Sequence, residues 1–310
     1  MVGRMSDPQP ITIRPERDPL LEEAVAAGGG VLVKPAEAVG LVWTHPAQPD
    51  DLDAFLCEHP QIRWVQLPWA GIEPYLPVIR RHHDRTWSSA AGVYAEPVGE
   101  HALALLLAGF RNLHGYARAK TWSAEAGRNL LGARVVVIGG GGIARVFVDL
   151  LAPFGCHITV VRRHDRHFGG ADRVLTLERL DEALNGADAA VLALPLVDDT
   201  RHVLGAHQLG LLAPGAWVIN VARGGHVDTD ALVAVLESGH LGGAALDVTE
   251  PEPLPDDHPL WSYPNVLITP HTASTKEMSK PLLALRITEN VARYGAGESL
   301  AGAVDPELGY

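Results

Sequence analysis

The sequence predicts an α/β protein with two doubly wound parallel-sheet domains, and three observations carry that prediction. Its 310 residues are about twice the ~150 of a typical domain. Short apolar runs alternate with helical stretches along most of the chain, the order that builds a parallel sheet covered by helices. The runs are apolar at nearly every position rather than at every second one, which marks strands buried on both faces.

Residues 30–33 and 39–43 read as buried strands, and 50–58 as a helix with Asp50 as its N-cap. A further strand, 62–67, stops at Pro68, and the segment Trp69, Ala70, Gly71, Ile72 is a loop. Pro97 suits the first turn of a helix, and residues 98–113 are apolar nearly all round. Such a helix is expected to be buried on every side, between domains or between subunits. From Arg134 onward the alternation is regular: a β-branched strand at 135–138, four glycines, then an apolar helix at 143–154. Strands follow at 157–161, 189–194, 216–220, 243–248 and 266–269, with helices at 180–184, 207–211 and 229–237 between them. The last segment, 274–294, is helical in pattern.

Composition excludes several function classes. The 25 Lys+Arg against 37 Asp+Glu leave a net charge of −12, which provides no broad basic face for a nucleic-acid backbone. With 47% hydrophobic residues the chain is not disordered. Its longest apolar stretch, residues 102–110, falls short of the ~20 residues that span a bilayer, and residues 1–10 have no apolar signal core. Cys57 and Cys156 form neither a disulfide framework nor a metal cluster. A cytoplasmic protein without a metal is expected. Only four of the cations are lysines (Lys34, Lys120, Lys276, Lys280), a bias that fits either genome composition or a need for anion-binding forks.

The four glycines carry the first chemical signal. Gly139, Gly141 and Ala144 fit G-x-G-x-x-[G/A] between a strand and a helix, with another strand close behind. The first glycine permits the tight turn and the second lets the backbone approach a pyrophosphate, while Gly142 and Ile143 open a helix whose free N–H groups face the phosphates. The second strand ends at Arg162 and Arg163, with Arg166 close behind. An NAD site usually places an acid there to bind the ribose 2′-hydroxyl. Guanidinium groups instead suit a 2′-phosphate, so NADP is the preferred cofactor and NAD the other candidate. The alternative is that the arginines stack on adenine or face solvent.

Three later segments resemble the D-isomer-specific 2-hydroxyacid dehydrogenases, of the glyoxylate/hydroxypyruvate reductase kind. They are Asn220-Val-Ala-Arg223-Gly-Gly, Ala245-Leu-Asp247-Val-Thr-Glu250-Pro-Glu252-Pro-Leu-Pro, and Asn265-Val-Leu-Ile-Thr-Pro-His271, and the resemblance runs from about Arg63 onward. It implies that Arg223, Glu252 and His271 are catalytic. Reducing a 2-oxoacid needs a grip on the carboxylate, a hydride donor and a proton for the developing alkoxide. An arginine fork supplies the first and polarises the carbonyl. A histidine, titrating near neutrality, supplies the proton, and a carboxylate on its other nitrogen orients it and favours imidazolium. Each residue also has a plain reading: Arg223 as an ion-pair or capping residue, Glu252 as interchangeable with Glu250, and His271 as a backbone-bonded histidine at a strand end.

The resemblance implies further contacts. Leu194, Pro195 and Thr200 belong to a loop beside the nicotinamide ribose, where Val197 replaces a frequent threonine. Ala222 and Asp247 bind the carboxamide, unless Asp247 is a buried acid capping a loop. Trp69, Ala70, Gly71 and Ile72 form an anion nest for the substrate carboxylate. Trp69 and Tyr94 either line that pocket or pack structurally, and Glu100 and His101 are read as structural. The implied fold is a Rossmann cofactor domain over residues 98–272 and a flavodoxin-like substrate domain over 1–97 and 273–310, with the active site between them. The implied partners are a small 2-oxoacid or 2-hydroxyacid and a second copy of the chain, with no nucleic acid and no membrane. With the sequence ending at Tyr310, the regulatory domain of long phosphoglycerate dehydrogenases is not expected, and Glu252 stands where formate dehydrogenases carry glutamine. The competing function is a dinucleotide-sensing binding protein or corepressor of the same fold with little turnover.

Overall fold

Runs of β-branched and aliphatic residues become the strands of two parallel sheets, each wound in both directions from an internal first strand. The structure, a computed structural model, describes residues 7–45 and 48–305. Clustering of contacts separates two compact units, one built from the chain up to Tyr94 and from Thr275 onward, the other from Ala95–Ser274.

The first unit holds β1 (Gln9–Arg14), β2 (Gly30–Leu32), β3 (Gly40–Trp43), β4 (Trp64–Gln66) and β5 (Thr86–Ser88), all parallel in the order β2-β1-β3-β4-β5. That is the flavodoxin-like order. Its core is aliphatic and aromatic, with Leu41, Trp43, Leu52, Leu56, Val65, Ile79 and Trp87 buried together. The helix Lys276–Ala296 joins this unit through a buried polar network. The Asn290 amide donates to Gln66 Oε1 (2.8 Å) and to the Ala301 carbonyl (2.9 Å), and its own carbonyl accepts from Ala301 N (2.8 Å). Gln66 Oε1 also accepts from Ser88 Oγ, which accepts from the Trp64 indole.

The second unit holds β6 (Arg134–Ile138), β7 (His157–Val161), β8 (Arg173–Leu175), β9 (Ala189–Leu192), β10 (Trp217–Asn220), β11 (Gly243–Leu246) and β12 (Val266–Ile268). All pairs are parallel, in the order β12-β11-β10-β9-β6-β7-β8, the Rossmann arrangement with one strand added. The winding reverses between β6 and β9, and open α/β sheets bind ligands beyond the carboxyl ends of their strands at such a point. Among the described residues no helix is long and apolar enough to cross a membrane.

Several local expectations need correction. The helix Pro49–Glu58 starts one residue before Asp50: Gln48 is the cap, Pro49 supplies a preset φ, and Asp50 and Asp51 sit in the first turn, where acids complement the dipole. The apolar helix runs Ala95–Phe110, three residues earlier at each end than the expected 98–113. Val98, Ala102, Leu105, Leu106 and Phe110 are buried, whereas Glu96, Glu100 and Ala104 are exposed and Leu103 and Leu107 are half-buried. The strands β1, β5 and β8 and the helix Pro19–Ala27 had no counterpart in the sequence reading.

The Asn290 network sets the first prediction. Replacing Asn290 with alanine strands Gln66 Oε1 short of a donor and leaves Ala301 N–H without its acceptor, so Asn290→Ala should lower unfolding free energy by about 2–4 kcal/mol in denaturant titration. A loss under 0.5 kcal/mol would refute the network's structural role.

Candidate active site

The turn after β6 lies at the reversal of strand order. Gly139 has φ +129°, and a Cβ there would fall 2.0 Å from the Ala193 carbonyl, so only glycine fits. Gly141 caps the helix Gly142–Leu151, and a Cβ built on it meets nothing within 4 Å. The helix start is therefore open, with unpaired N–H groups of the kind that hold phosphate. Beside it, the aliphatic part of Arg162 lies over Gly140, where a Cβ would come within 2.8 Å of Nε. Arg163 is exposed. These residues fit a dinucleotide.

Across the reversal, the loop after β9 carries Leu194, Pro195 and Thr200. The Thr200 hydroxyl accepts from Val197 N (2.9 Å) and donates to the Pro195 carbonyl (2.9 Å), so it closes this loop. The buried His226, a residue sequence reasoning passed over among 15 histidines, links the same loop to the arginine turn. Its Nε2 is 3.2 Å from the Pro195 carbonyl, and its Nδ1 accepts from Arg223 N at 3.2 Å.

Three neighbouring strands then each deliver one residue from their carboxyl ends. Arg223 follows β10, with Ala222 buried beside it and with Asn220 Nδ2 donating to its carbonyl at 2.8 Å. Glu252 lies in the segment after β11, and His271 follows β12. His271 Nδ1 is 2.7 Å from Glu252 Oε1. Donation from His271 to the Glu252 carboxylate lifts the imidazole pKa above its ordinary value, against burial and the nearby Arg223 charge. In return the bond from His271 holds the Glu252 carboxyl below the usual range, against burial and with help from Arg223. Arg223 thus influences both members of the pair, in opposite senses: it favours the charged carboxylate and disfavours the charged imidazolium. Glu250, which the local sequence could not tell from Glu252, faces elsewhere: its carboxylate takes Arg201 Nη2 at 2.6 Å and His202 Nε2 at 3.0 Å.

Asp247 shapes the turn that carries His271. It is 2% exposed, and its carboxylate accepts from Thr269 Oγ1 (2.6 Å), Thr272 N (2.9 Å) and Ala273 N (3.1 Å), with His101 Nε2 at 3.4 Å. Burial opposes its charge, but these bonds outweigh burial and keep its pKa below the ordinary value. His271 sits at φ +52°, rare for a residue with a Cβ, with its N–H donating to the Asp247 carbonyl at 2.8 Å. His101 also reaches Thr269 Oγ1 at 3.0 Å, which makes it part of the same support.

In the other unit, the loop after β4 presents Trp69, Ala70 and Gly71 at least partly to solvent and buries Ile72. Tyr94 packs under this loop: it is 8% exposed, its hydroxyl donates to the Pro68 carbonyl at 2.6 Å, and its ring lies 5.5 Å from that of Trp69. Burial pushes its phenol pKa up.

A hydrogen-bonded imidazole–carboxylate pair and a glycine turn, both beyond the carboxyl ends of one parallel sheet, fit by class a nicotinamide-dependent oxidoreductase. Comparison with known proteins gives the family. The profile described as D-isomer specific 2-hydroxyacid dehydrogenase, NAD binding domain, matches residues 102–273. An uncharacterized protein in the proB 3′ region of Corynebacterium melassecola is 37% identical over 298 residues, covering 93% of this chain and 95% of the relative. A glyoxylate/hydroxypyruvate reductase A of Serratia proteamaculans is 32% identical, covering 70% of this chain and 69% of its own length. The crystal structure of a D-isomer specific 2-hydroxyacid dehydrogenase from Xanthobacter autotrophicus Py2, in complex with NADPH and MES, superposes with a TM-score of 0.82 at 30% identity, covering 98% and 100% of the two chains. The chain belongs to the D-isomer specific 2-hydroxyacid dehydrogenase family, whose members use NAD or NADP.

An Asp247→Asn substitution puts an NH2 where backbone donors need an acceptor. It should cost about 2–4 kcal/mol of stability and lower turnover at least tenfold as the His271 turn relaxes, measured by calorimetry and steady-state kinetics. Unchanged values in both would remove Asp247 from this role.

Proposed function

We propose that the protein reduces a small 2-oxoacid, of the glyoxylate/hydroxypyruvate or arylpyruvate class, to a D-2-hydroxy acid with NADPH in preference to NADH. The observation that carries this reading is the 2.7 Å contact between His271 Nδ1 and Glu252 Oε1, with Arg223 close enough to influence both. The name of the Serratia relative supports the substrate class, and the NADPH in the Xanthobacter structure supports the cofactor.

In this reading the unit Ala95–Ser274 holds the cofactor and the other unit holds the substrate carboxylate through Trp69, Ala70, Gly71 and Ile72. Gly139, Gly141, Gly142 and Ile143 take the pyrophosphate, and Arg162 and Arg163 take the 2′-phosphate. Leu194, Pro195 and Thr200 flank the nicotinamide ribose, with Ala222 at the carboxamide, while Asp247, engaged by Thr269, Thr272 and Ala273, holds the His271 turn. Bound there, the reduced nicotinamide supplies the hydride. Arg223 grips the carboxylate and polarises the carbonyl oxygen, so charge developing on that oxygen meets a fixed guanidinium. Imidazolium His271 gives its proton to the same oxygen as general acid, and neutral His271 takes one back in the reverse direction. Glu252 keeps His271 protonated and oriented. In this reading the protein works in the cytoplasm as a homodimer, with the exposed side of the apolar helix Ala95–Phe110 facing the second copy.

Purified protein given NADPH should reduce members of a 2-oxoacid panel, and turnover of none of them with either cofactor would leave the dinucleotide-sensing function instead. His271→Ala should lower kcat about 10²–10⁴-fold. The pH dependence follows from the raised His271 pKa: the acid must be protonated, so kcat/KM for reduction is flat at low pH and falls as pH rises through that value. Glu252→Gln removes the main cause of the rise and should move the falling limb to lower pH. A limb that stays in place would deny the pair this role.

A further inference from the structure

The segment following β7 is more constrained than its composition suggests. Residues 162–168 read Arg-Arg-His-Asp-Arg-His-Phe, and Arg163 to His167 are exposed. Phe168 is 1% exposed and closes the segment like a plug. Two guanidinium groups address its ring: Arg145 Cζ lies 3.8 Å from the centroid and Arg162 Cζ 5.7 Å. Both distances lie within the range of cation–π attraction. Arg145 comes from the helix Gly142–Leu151, directly behind the glycine turn, and its Nη1 donates to the Gly169 carbonyl at 2.9 Å. On its other flank, Arg162 packs against Gly140, where an added Cβ would meet Nε at 2.8 Å, Cδ at 2.9 Å and Cβ at 3.0 Å. Gly140 is the variable position of the glycine pattern and does not have a positive φ. Its lack of a side chain makes room for Arg162.

We infer that Phe168, Arg145 and Gly140 are positioning residues that hold Arg162 in a preset conformation for a 2′-phosphate on the adenosine ribose. This rests on the NADP reading above and extends it to residues that do not themselves touch the phosphate. An arginine on an unconstrained loop loses rotamer freedom when it grips an anion. Here the ring on one side and the bare glycine on the other remove that freedom beforehand. Arg145 fixes the ring and the Gly169 backbone together, so the segment cannot swing Arg162 away from the turn. Arg145 and Arg162 carry like charges, and their repulsion is eased because each has the ring face to associate with.

The test uses the whole protein and two probes, adenosine 2′,5′-bisphosphate and 5′-AMP, which differ in the 2′-phosphate, with binding measured by calorimetry and unfolding followed in parallel. Phe168→Leu keeps an apolar plug but loses the ring face, Arg145→Met keeps length but loses charge and hydrogen bond, and Gly140→Ala pushes on Arg162. Each should weaken the bisphosphate roughly three- to tenfold while changing 5′-AMP by less than about twofold. KM for NADPH should rise with KM for NADH steady, and Arg145→Lys should recover part of the loss. Equal weakening of both probes, or of neither, in variants that remain folded would overturn the positioning role. If the wild-type protein binds the two probes alike and Arg162→Ala changes nothing, the NADP reading itself falls, and this inference with it. Wild-type discrimination that survives Phe168→Leu and Gly140→Ala overturns this inference alone.

Discussion

A carboxylate buried at 2% exposure governs the geometry of the candidate site. An ion taken out of water is tolerated only when donors surround it, and Asp247 obtains its donors from the Thr269 hydroxyl and the amides of Thr272 and Ala273. Those donors can converge only if the chain after β12 turns back on itself, and that turn puts His271 at φ +52°. The strain of a left-handed non-glycine residue, of the order of 1 kcal/mol, is thus offset by charge-assisted hydrogen bonds next to it. His271 is presented beside the strand ends because Asp247 is charged.

The same reasoning separates the two glutamates of the proline-rich segment. Both are acids in one short stretch, so propensity and composition treat them alike. Glu252 reaches the imidazole, while Glu250 is engaged by Arg201 and His202 and, through its carbonyl, by Thr229 Oγ1. One carboxylate tunes a proton and the other fastens the segment to the loop after β9. Arg223 adds an opposing influence on His271, so the imidazole's affinity for its proton reflects a balance between an anion and a cation. Such a balance keeps the group able to release its proton as well as hold it.

What was legible in the sequence follows from how each element is stabilised. The strand β6 and its glycine turn were readable because five residues and four glycines carry the whole signal locally. The helix Thr229–Glu237 was readable for the same reason, with Asp228 as a capping side chain that bonds Ala231 N. β5 and β8 are three-residue edge strands, each paired with a single neighbour, and polar residues (Thr86 and Ser88, Arg173) break the apolar run that marked the equally short β2, β4 and β12. β1 was hidden by Pro10 and by its alternating polarity, and its internal place in the sheet, between β2 and β3, comes from pairing with both. The roles of His226 and Tyr94 are tertiary: each bonds a backbone carbonyl at least 26 residues distant in sequence. A single sequence carries no trace of such contacts.

Charge shows the same division between average and local information. A chain with net charge −12 should repel a dinucleotide phosphate on average. Solution ions screen that average beyond roughly 8–10 Å, so what a bound phosphate feels is set by the groups within a contact or two. Around the turn after β6 those groups are helix amides and the guanidinium of Arg162, and the segment from Arg162 to Phe168 contains three arginines and a single acid, Asp165. Guanidinium serves there better than ammonium because it combines a planar fork for phosphate with a flat face for an aromatic ring, and Arg145 uses that face on Phe168. Under the proposed 2′-phosphate contact the scarcity of lysine has a use at position 162, because a lysine there would keep the charge and lose both the fork and the stack.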